Sequence, residues 1–301
     1  MNDFIVAEKP PAYRAGFVTL AGRTNVGKST LLNQLVGQKV AIVTPKPQTT
    51  RRRIIGIRTD ADAQMILIDT PGLHQPRREL NRRMVATARR CFTEGEVILA
   101  MVAAGDVQDC AFLRDLGRLG KPLIVALNKI DLVTRERLMA LLERLGQVAP
   151  NCEIVPISAL TGENIDELIR VLKSMLPESP ALMPGDEYTD QSARMIAGEV
   201  IREKIFLAMR QEIPFSTAVQ VERFIEEPER NLDIITAAVV VERDAHKGMV
   251  IGAGGSQLKR IGSEARHELE EILGTRVFLE LHVKVEKGWT GDPRKLKEFG
   301  F

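Results

Sequence analysis

From Gly16 to about Met175, short apolar runs alternate with longer amphipathic stretches. Residues 17–21 form an apolar run that leads straight into Gly22, and residues 65–68, 97–102 and 123–127 are continuously apolar. Unbroken runs of this length suit strands buried on both faces, as in a parallel sheet. Between them the 3.6-residue pattern predicts helices over 29–36, closed by Gly37 as a C-cap, and over 135–145. The alternation predicts a doubly wound α/β domain with a mostly parallel sheet over residues 16–176, after a tail at 1–15. Pro177, Pro180, Pro184 and Gly185 mark a linker over 177–191. Beyond it the order becomes α+β: a helix over 192–210, strands over 218–224 and 234–242, a helix over 256–273 and a strand over 276–285. This second domain is expected to span 192–301.

A chain of 301 residues is long enough for two such cores. With 42 Lys and Arg against 40 Asp and Glu, the net charge of +2 gives no general attraction to nucleic acid, so any phosphate or RNA site must be a local patch. Three cysteines without a CxxC pair argue against a disulfide framework or a zinc site, and His74, His246, His267 and His282 have no ligand spacing. The N-terminus lacks the order of a signal peptide, and no apolar run approaches the roughly 20 residues that span a bilayer. The expectation is a cytoplasmic protein; peripheral association with the inner face of the cell membrane is left open.

Chemistry enters at Gly22-Arg23-Thr24-Asn25-Val26-Gly27-Lys28-Ser29-Thr30, which fits G-x-x-x-x-G-K-[ST] between a predicted strand and a predicted helix. Glycines let backbone N–H groups turn inward on phosphates, and the helix N-terminus adds its dipole. Lys28 would reach the β- and γ-phosphates and Ser29 would hold Mg²⁺. A glycine-rich turn matching by chance is the bland alternative; the strand-turn-helix context makes it rare. Asp69-Thr70-Pro71-Gly72 ends an apolar run, so Asp69 can hold Mg²⁺ through water and the Gly72 N–H can meet the γ-phosphate. Gln48-Thr49-Thr50-Arg51-Arg52 lies in a loop with Pro45 and Pro47, where Thr50 can complete the Mg²⁺ shell only while GTP is bound. The switch set is thus residues 48–52 and 69–73, and Lys28, Thr50 and Gly72 are the expected catalytic groups.

Asn128-Lys129-Ile130-Asp131 decides the base. An ionised Asp131 only accepts, so it pairs with the N1–H and exocyclic amino group of guanine; adenine offers no donor there. Ser158-Ala159-Leu160 is where a backbone N–H meets the guanine carbonyl. The expected ligand is GTP or GDP, and a metabolic kinase using ATP is set aside.

In the second domain, Gly252-Ala253-Gly254-Gly255 precedes a predicted helix, with Lys247, Lys259 and Arg260 flanking it. A lone GxxG is often an ordinary helix-cap turn, but the strand-turn-helix frame and the α-β-β-α-β order fit a type II KH fold that grips single-stranded RNA. Residues 192–301 hold nearly equal numbers of basic and acidic side chains, so this reading depends on local placement.

These motifs resemble the TRAFAC-class GTPases. Together with residues 47–51, Asp69 to Leu73, the 250–255 turn and the closing segment from Gly288-Trp289, they resemble the Era family of bacterial ribosome-assembly GTPases from about Gly16 to Phe301. The resemblance implies slow, Mg²⁺-dependent hydrolysis of GTP and a monomer that binds the 3′ end of 16S rRNA. It also implies help in assembling the small (30S) ribosomal subunit, with RNA gripped in the GTP state and released after hydrolysis. Thr24 departs from the proline usual in the family; it lies among backbone donors rather than side-chain ligands, so function should survive. Leu73 stands where Ras-type GTPases carry a water-orienting glutamine, which implies a slow rate without a partner or an extra cation. Asn25 resembles the asparagine of K⁺-dependent relatives; a side chain that bonds only the loop backbone is an equal reading. For Arg51-Arg52-Arg53, RNA contact and ordinary surface exposure carry equal weight, and a catalytic arginine role less. The runner-up function is a membrane-associated cell-cycle signalling switch whose second domain binds protein.

Overall fold

The computed structural model describes residues 12–72, 79–107 and 110–300. Leu73, His74 and residues 1–11 of the expected tail lie outside the described residues.

The first sheet contains β1 (Arg14–Gly22), β2 (Ile54–Thr59), β3 (Ala63–Asp69), β4 (Val97–Ala103), β5 (Leu123–Asn128) and β6 (Glu153–Pro156), in the order β2-β3-β1-β4-β5-β6. All its pairings are parallel except β2 against β3. Every residue of β3, β4 and β5 is buried, as unbroken apolar strands require. Helices α1 (Lys28–Val36), α2 (Glu79–Glu94), α3 (Ala111–Gly117), α4 (Arg135–Val148) and α5 (Ile165–Met175) flank the sheet. One core cluster gathers Leu20, Leu31, Met65, Leu99 and Leu168; a second gathers Ala100, Val125, Leu127, Leu141 and Leu145. The parallel strands β1, β3, β5 and β6 end on the same edge. The phosphate loop, Asp69, Asn128 and Ser158 therefore converge there, as ligand sites do in doubly wound sheets.

The expected linker is strapped along β2 and its neighbour. Ile57 N donates to Tyr188 O at 2.8 Å, Thr189 Oγ1 donates to Ile55 O at 2.6 Å, and Gln64 bonds Leu182 and Met183. Its prolines exclude helix, and the main chain satisfies the open edge of the sheet instead.

The second domain runs α6 (Ala193–Ala208), β7 (Thr217–Glu227), β8 (Leu232–Val241), α7 (Asp244–Ile251), α8 (Ser256–Leu273), β9 (Arg276–Val285) and α9 (Pro293–Glu298). Its sheet has the order β7-β8-β9, with β8 and β9 parallel. Helices α6 and α8 pack on it through Ile201, Ile205, Ile261 and Leu269, against Ala237 and Val239. The short helix α7, which the sequence reading lacked, leads into the glycine turn, so the order is α-β-β-α-α-β. No described helix is long and apolar enough to cross a membrane.

Candidate functional site

The phosphate loop spans the gap between β1 and α1. Gly27 adopts φ 104°, and a Cβ there would collide with Asn128 Nδ2, so only glycine lets the loop reach the base-site strand. Lys28 is buried, and its Nζ donates to Arg23 O at 3.0 Å and to Gly22 O at 3.4 Å. Burial lowers its pKa, and Asp69 opposes the shift. The Asn25 side chain donates to Pro45 O at 3.0 Å, tying the loop to the segment before the switch threonine rather than to the loop's own backbone.

Three oxygens meet beside Lys28. Ser29 Oγ lies 2.6 Å from Asp69 Oδ2 and 2.7 Å from Thr50 Oγ1, and Thr50 Oγ1 donates to Asp69 Oδ2 at 3.1 Å. Asp69 is fully buried, which raises its pKa against the pull of Lys28, and its Oδ1 has no partner among the described residues. An all-oxygen set with an unpartnered buried carboxylate oxygen fits a hard cation such as Mg²⁺. Thr24, Gln48, Thr49, Thr50 and Gly72 line the same cavity as Lys28 and Ser29. Thr70 turns away, its hydroxyl donating to Leu20 O at 2.9 Å, and Pro71 is buried.

The base site is braced by Asn128. Its Nδ2 donates to Val26 O at 2.7 Å and its Oδ1 accepts from Ala159 N at 2.9 Å, so one side chain joins the phosphate loop to the segment after β6. Lys129 Nζ donates to Asn25 O at 2.8 Å, and Ser158 Oγ donates to Asp131 Oδ1 at 2.6 Å. A cavity of about 460 Å³ opens between Asn128, Lys129, Asp131, Ala159 and Leu160. Leu132 also lines it, a residue the motif reading missed. Leu132 and Leu160 are 72% and 78% exposed and form apolar lips where a planar base can lie.

Arg51 and Arg52 depart from the sequence reading, whereas Arg53 has the ordinary surface exposure expected as one of its readings. Arg51 is 4% exposed and faces neither solvent nor RNA: its guanidinium donates to Pro214 O and Thr217 O, each at 2.8 Å, across the seam between the domains. Burial, with nearby Arg202, pulls its pKa down to about 9 against the opposing charge of Glu199. Arg52 donates to Phe299 O, and exposed Arg53 pairs with Glu94 at 3.6 Å. From the other side Arg202 of α6 donates to Thr49 O at 2.7 Å, and Arg51 and Arg202 both stack on the Phe206 ring. Helix α2, which follows the second switch, buries Leu80 and Met84 among Ala218, Val240, Trp289, Leu296 and Phe299. The first switch segment and the helix that follows the second thus rest on the second domain. No local pattern signals this, because the partners are backbone carbonyls and an apolar face some 160 residues away.

In the second domain Gly252, Gly254 and Gly255 adopt φ 75°, 58° and 78°, which frees the turn before α8. Beside it lies a groove of about 410 Å³ lined by Gly255, Leu258, Lys259, Arg266, Leu279 and Leu281. Lys259 is brought to the groove; Arg260 turns to Glu264 at 3.8 Å, and Lys247, Gly252, Ala253 and Gly254 stand outside its lining. Arg266, missed by the sequence reading, could have been found: it lies seven residues after Lys259 on one helix face.

Residues 17–129 match the family described as 50S ribosome-binding GTPase, and residues 212–290 match the KH domain. GTPase Era of Syntrophus aciditrophicus is 48% identical, covering 96% of this chain and 95% of the relative. GTPase Era of Geotalea uraniireducens is 47% identical, covering 96% and 98%. Two crystal structures of Era, each 40% identical, superpose with TM-scores of 0.92. One, from Aquifex aeolicus, is bound to GDP and AlF4⁻ and covers 95% of this chain and 99% of that one. The other is bound to MgGDPNP and nucleotides 1506–1542 of 16S ribosomal RNA and covers 96% and 99%.

Proposed function

The chain belongs to the Era family of GTPases, and we propose on that footing that it is a slow GTPase switch whose KH groove grips the 3′ end region of 16S rRNA. In this reading it assists assembly of the small ribosomal subunit, in the cytoplasm, and releases the RNA after hydrolysis to GDP. One observation carries the switch: Thr50, which bonds Ser29 and Asp69, lies between Thr49 and Arg51, which are both bonded to the second domain.

Asp131, held by Ser158, selects guanine through its two acceptor oxygens. The backbone of residues 22–27 and the Lys28 ammonium cradle the phosphates. Mg²⁺, held by Ser29 and Thr50 and through water by Asp69, would neutralise charge between the β- and γ-phosphates. Thr50 and Gly72 are the groups that sense whether the third phosphate is present. When it leaves, Thr50 loses its role and the loop carrying Arg51 is released.

On the RNA side, Lys259 and Arg266 supply charge to the backbone, and Leu258, Leu279 and Leu281 floor the groove for unstacked bases. The test is a titration of a labelled 16S rRNA 3′-end oligonucleotide with the full chain in GDP and in a GTP analogue. Tighter, salt-sensitive binding with the analogue is expected; equal or absent binding overturns the reading.

A further inference from the structure

Thr24 stands apart from its neighbours in the phosphate loop. Asn25, Gly27 and Thr30 line both the phosphate cavity and the base cavity, whereas Thr24 lines only the phosphate cavity, with Lys28, Ser29 and Thr50. It therefore lies at the end away from the base, where Ser29, Thr50 and Asp69 oxygens mark the cation position. Gly72 is pressed against it. A Cβ on Gly72 would lie 2.7 Å from Thr24 Cγ2 and 2.8 Å from both Thr24 N and Cα. The methyl and main chain of Thr24 are thus the seat of the second switch glycine. Its hydroxyl makes no hydrogen bond among the described residues, although the residue is half-buried and borders a polar cavity. A half-buried hydroxyl beside a site for highly charged oxygens is a donor in want of an acceptor.

We propose that Thr24 is a specificity residue for the triphosphate: its side-chain hydroxyl donates to an oxygen of the γ-phosphate while its methyl seats Gly72. This rests on the reading that the cavity holds GTP, and it departs from the expectation that position 24 acts through its backbone alone. A diphosphate has no oxygen at this position, so the contact acts on GTP and not on GDP. An O–H to a charged phosphate oxygen is among the stronger hydrogen bonds, and losing it costs about tenfold in affinity.

Two variants of the full chain separate the hydroxyl from the methyl. Thr24→Val keeps the shape, the backbone N–H and the seat for Gly72 but removes the donor; Thr24→Ser keeps the donor. Dissociation constants for GDP and for GppNHp are measured with Mg²⁺ for all three proteins by competition with a fluorescent guanine nucleotide. Thr24→Val is expected to bind GppNHp about tenfold more weakly with GDP unchanged, and Thr24→Ser to stay near the parent on both. Equal loss of both nucleotides in Thr24→Val, or loss of neither, overturns the proposal; unchanged GDP affinity also shows that the variant is folded. A parent chain that binds neither guanine nucleotide would instead sink the GTP reading itself.

Discussion

Arg202 of helix α6 donates to the carbonyl of Thr49 at 2.7 Å, so the second domain holds the residue next to the switch threonine. On the other side of Thr50, Arg51 donates to two carbonyls of that domain, and both guanidinium groups share one face partner, Phe206. Thr50 cannot leave Ser29 and Asp69 without pulling on this clamp. By linkage, RNA that favours one arrangement of the second domain must bias nucleotide affinity by the same factor.

Arg51→Ala should therefore uncouple the domains. It removes two charge-assisted hydrogen bonds from a buried seam and leaves the Pro214 and Thr217 carbonyls without them; the thermal midpoint should fall, with a stability loss of about 2 kcal/mol. The ratio of RNA affinities in the GTP-analogue and GDP states should move toward one. Arg51→Lys should not rescue it, since a single ammonium cannot span both carbonyls with fixed geometry. Calorimetry and the RNA titration check both points, and an undiminished ratio in Arg51→Ala would remove this residue from the coupling.

Acid should loosen the same seam. Burial alone would raise the pKa of Glu199, but Arg202, then Arg52 and Arg51, outweigh it and hold the carboxylate below its ordinary value. A depressed carboxylate adds stability above its unfolded pKa of about 4.3, and that share is lost as pH falls toward the folded value. Midpoints measured between pH 7 and 3 should fall faster for the parent than for Glu199→Gln. The variant should be less stable at pH 7, because its arginines lose their counter-charge.

Gly27→Ala tests the brace between the two cavities. The added methyl would meet Asn128 Nδ2, and φ 104° strains any L side chain. Asn128 would lose its bond to Val26 O, its bond to Ala159 N would shift, and guanine nucleotide affinity should drop by at least about a hundredfold. Retention of GDP binding within threefold would show that the loop adapts.

Much of the lining of the two candidate nucleotide cavities was readable in the chain because each motif is local. Glycines at 22 and 27, a lysine at 28 and an acid after an apolar strand carry their geometry in their own spacing. The apolar runs of β3, β4 and β5 were readable for the same reason. Strand β2 was not named, because Gly56 and Arg58 break its apolar pattern at the sheet edge. The arginine run misled for a deeper reason. Charge in sequence suggests solvent or phosphate, whereas Arg51 finds carbonyls and an aromatic face that only the folded second domain supplies. Arg260 likewise looked equivalent to Lys259, but one helical step turns it from the groove toward Glu264.

The groove itself gives the sharpest contrast between neighbouring residues. Lys259 and Arg266 line it and Arg260 does not, so Lys259→Ala and Arg266→Ala should each weaken binding of the 16S rRNA 3′-end oligonucleotide while Arg260→Ala has a smaller effect. If each of the first two meets one phosphate, each variant should flatten the plot of log affinity against log salt by about 0.7, the single-strand value for one neutralised charge. Arg266 is partly engaged by Glu270 at 2.9 Å, so Glu270→Gln should free it and raise RNA affinity modestly. Guanine nucleotide binding should be unchanged in all four variants, since none of these residues lines either nucleotide cavity. A salt slope that stays at the parent value in both Lys259→Ala and Arg266→Ala would place the RNA backbone elsewhere on the second domain.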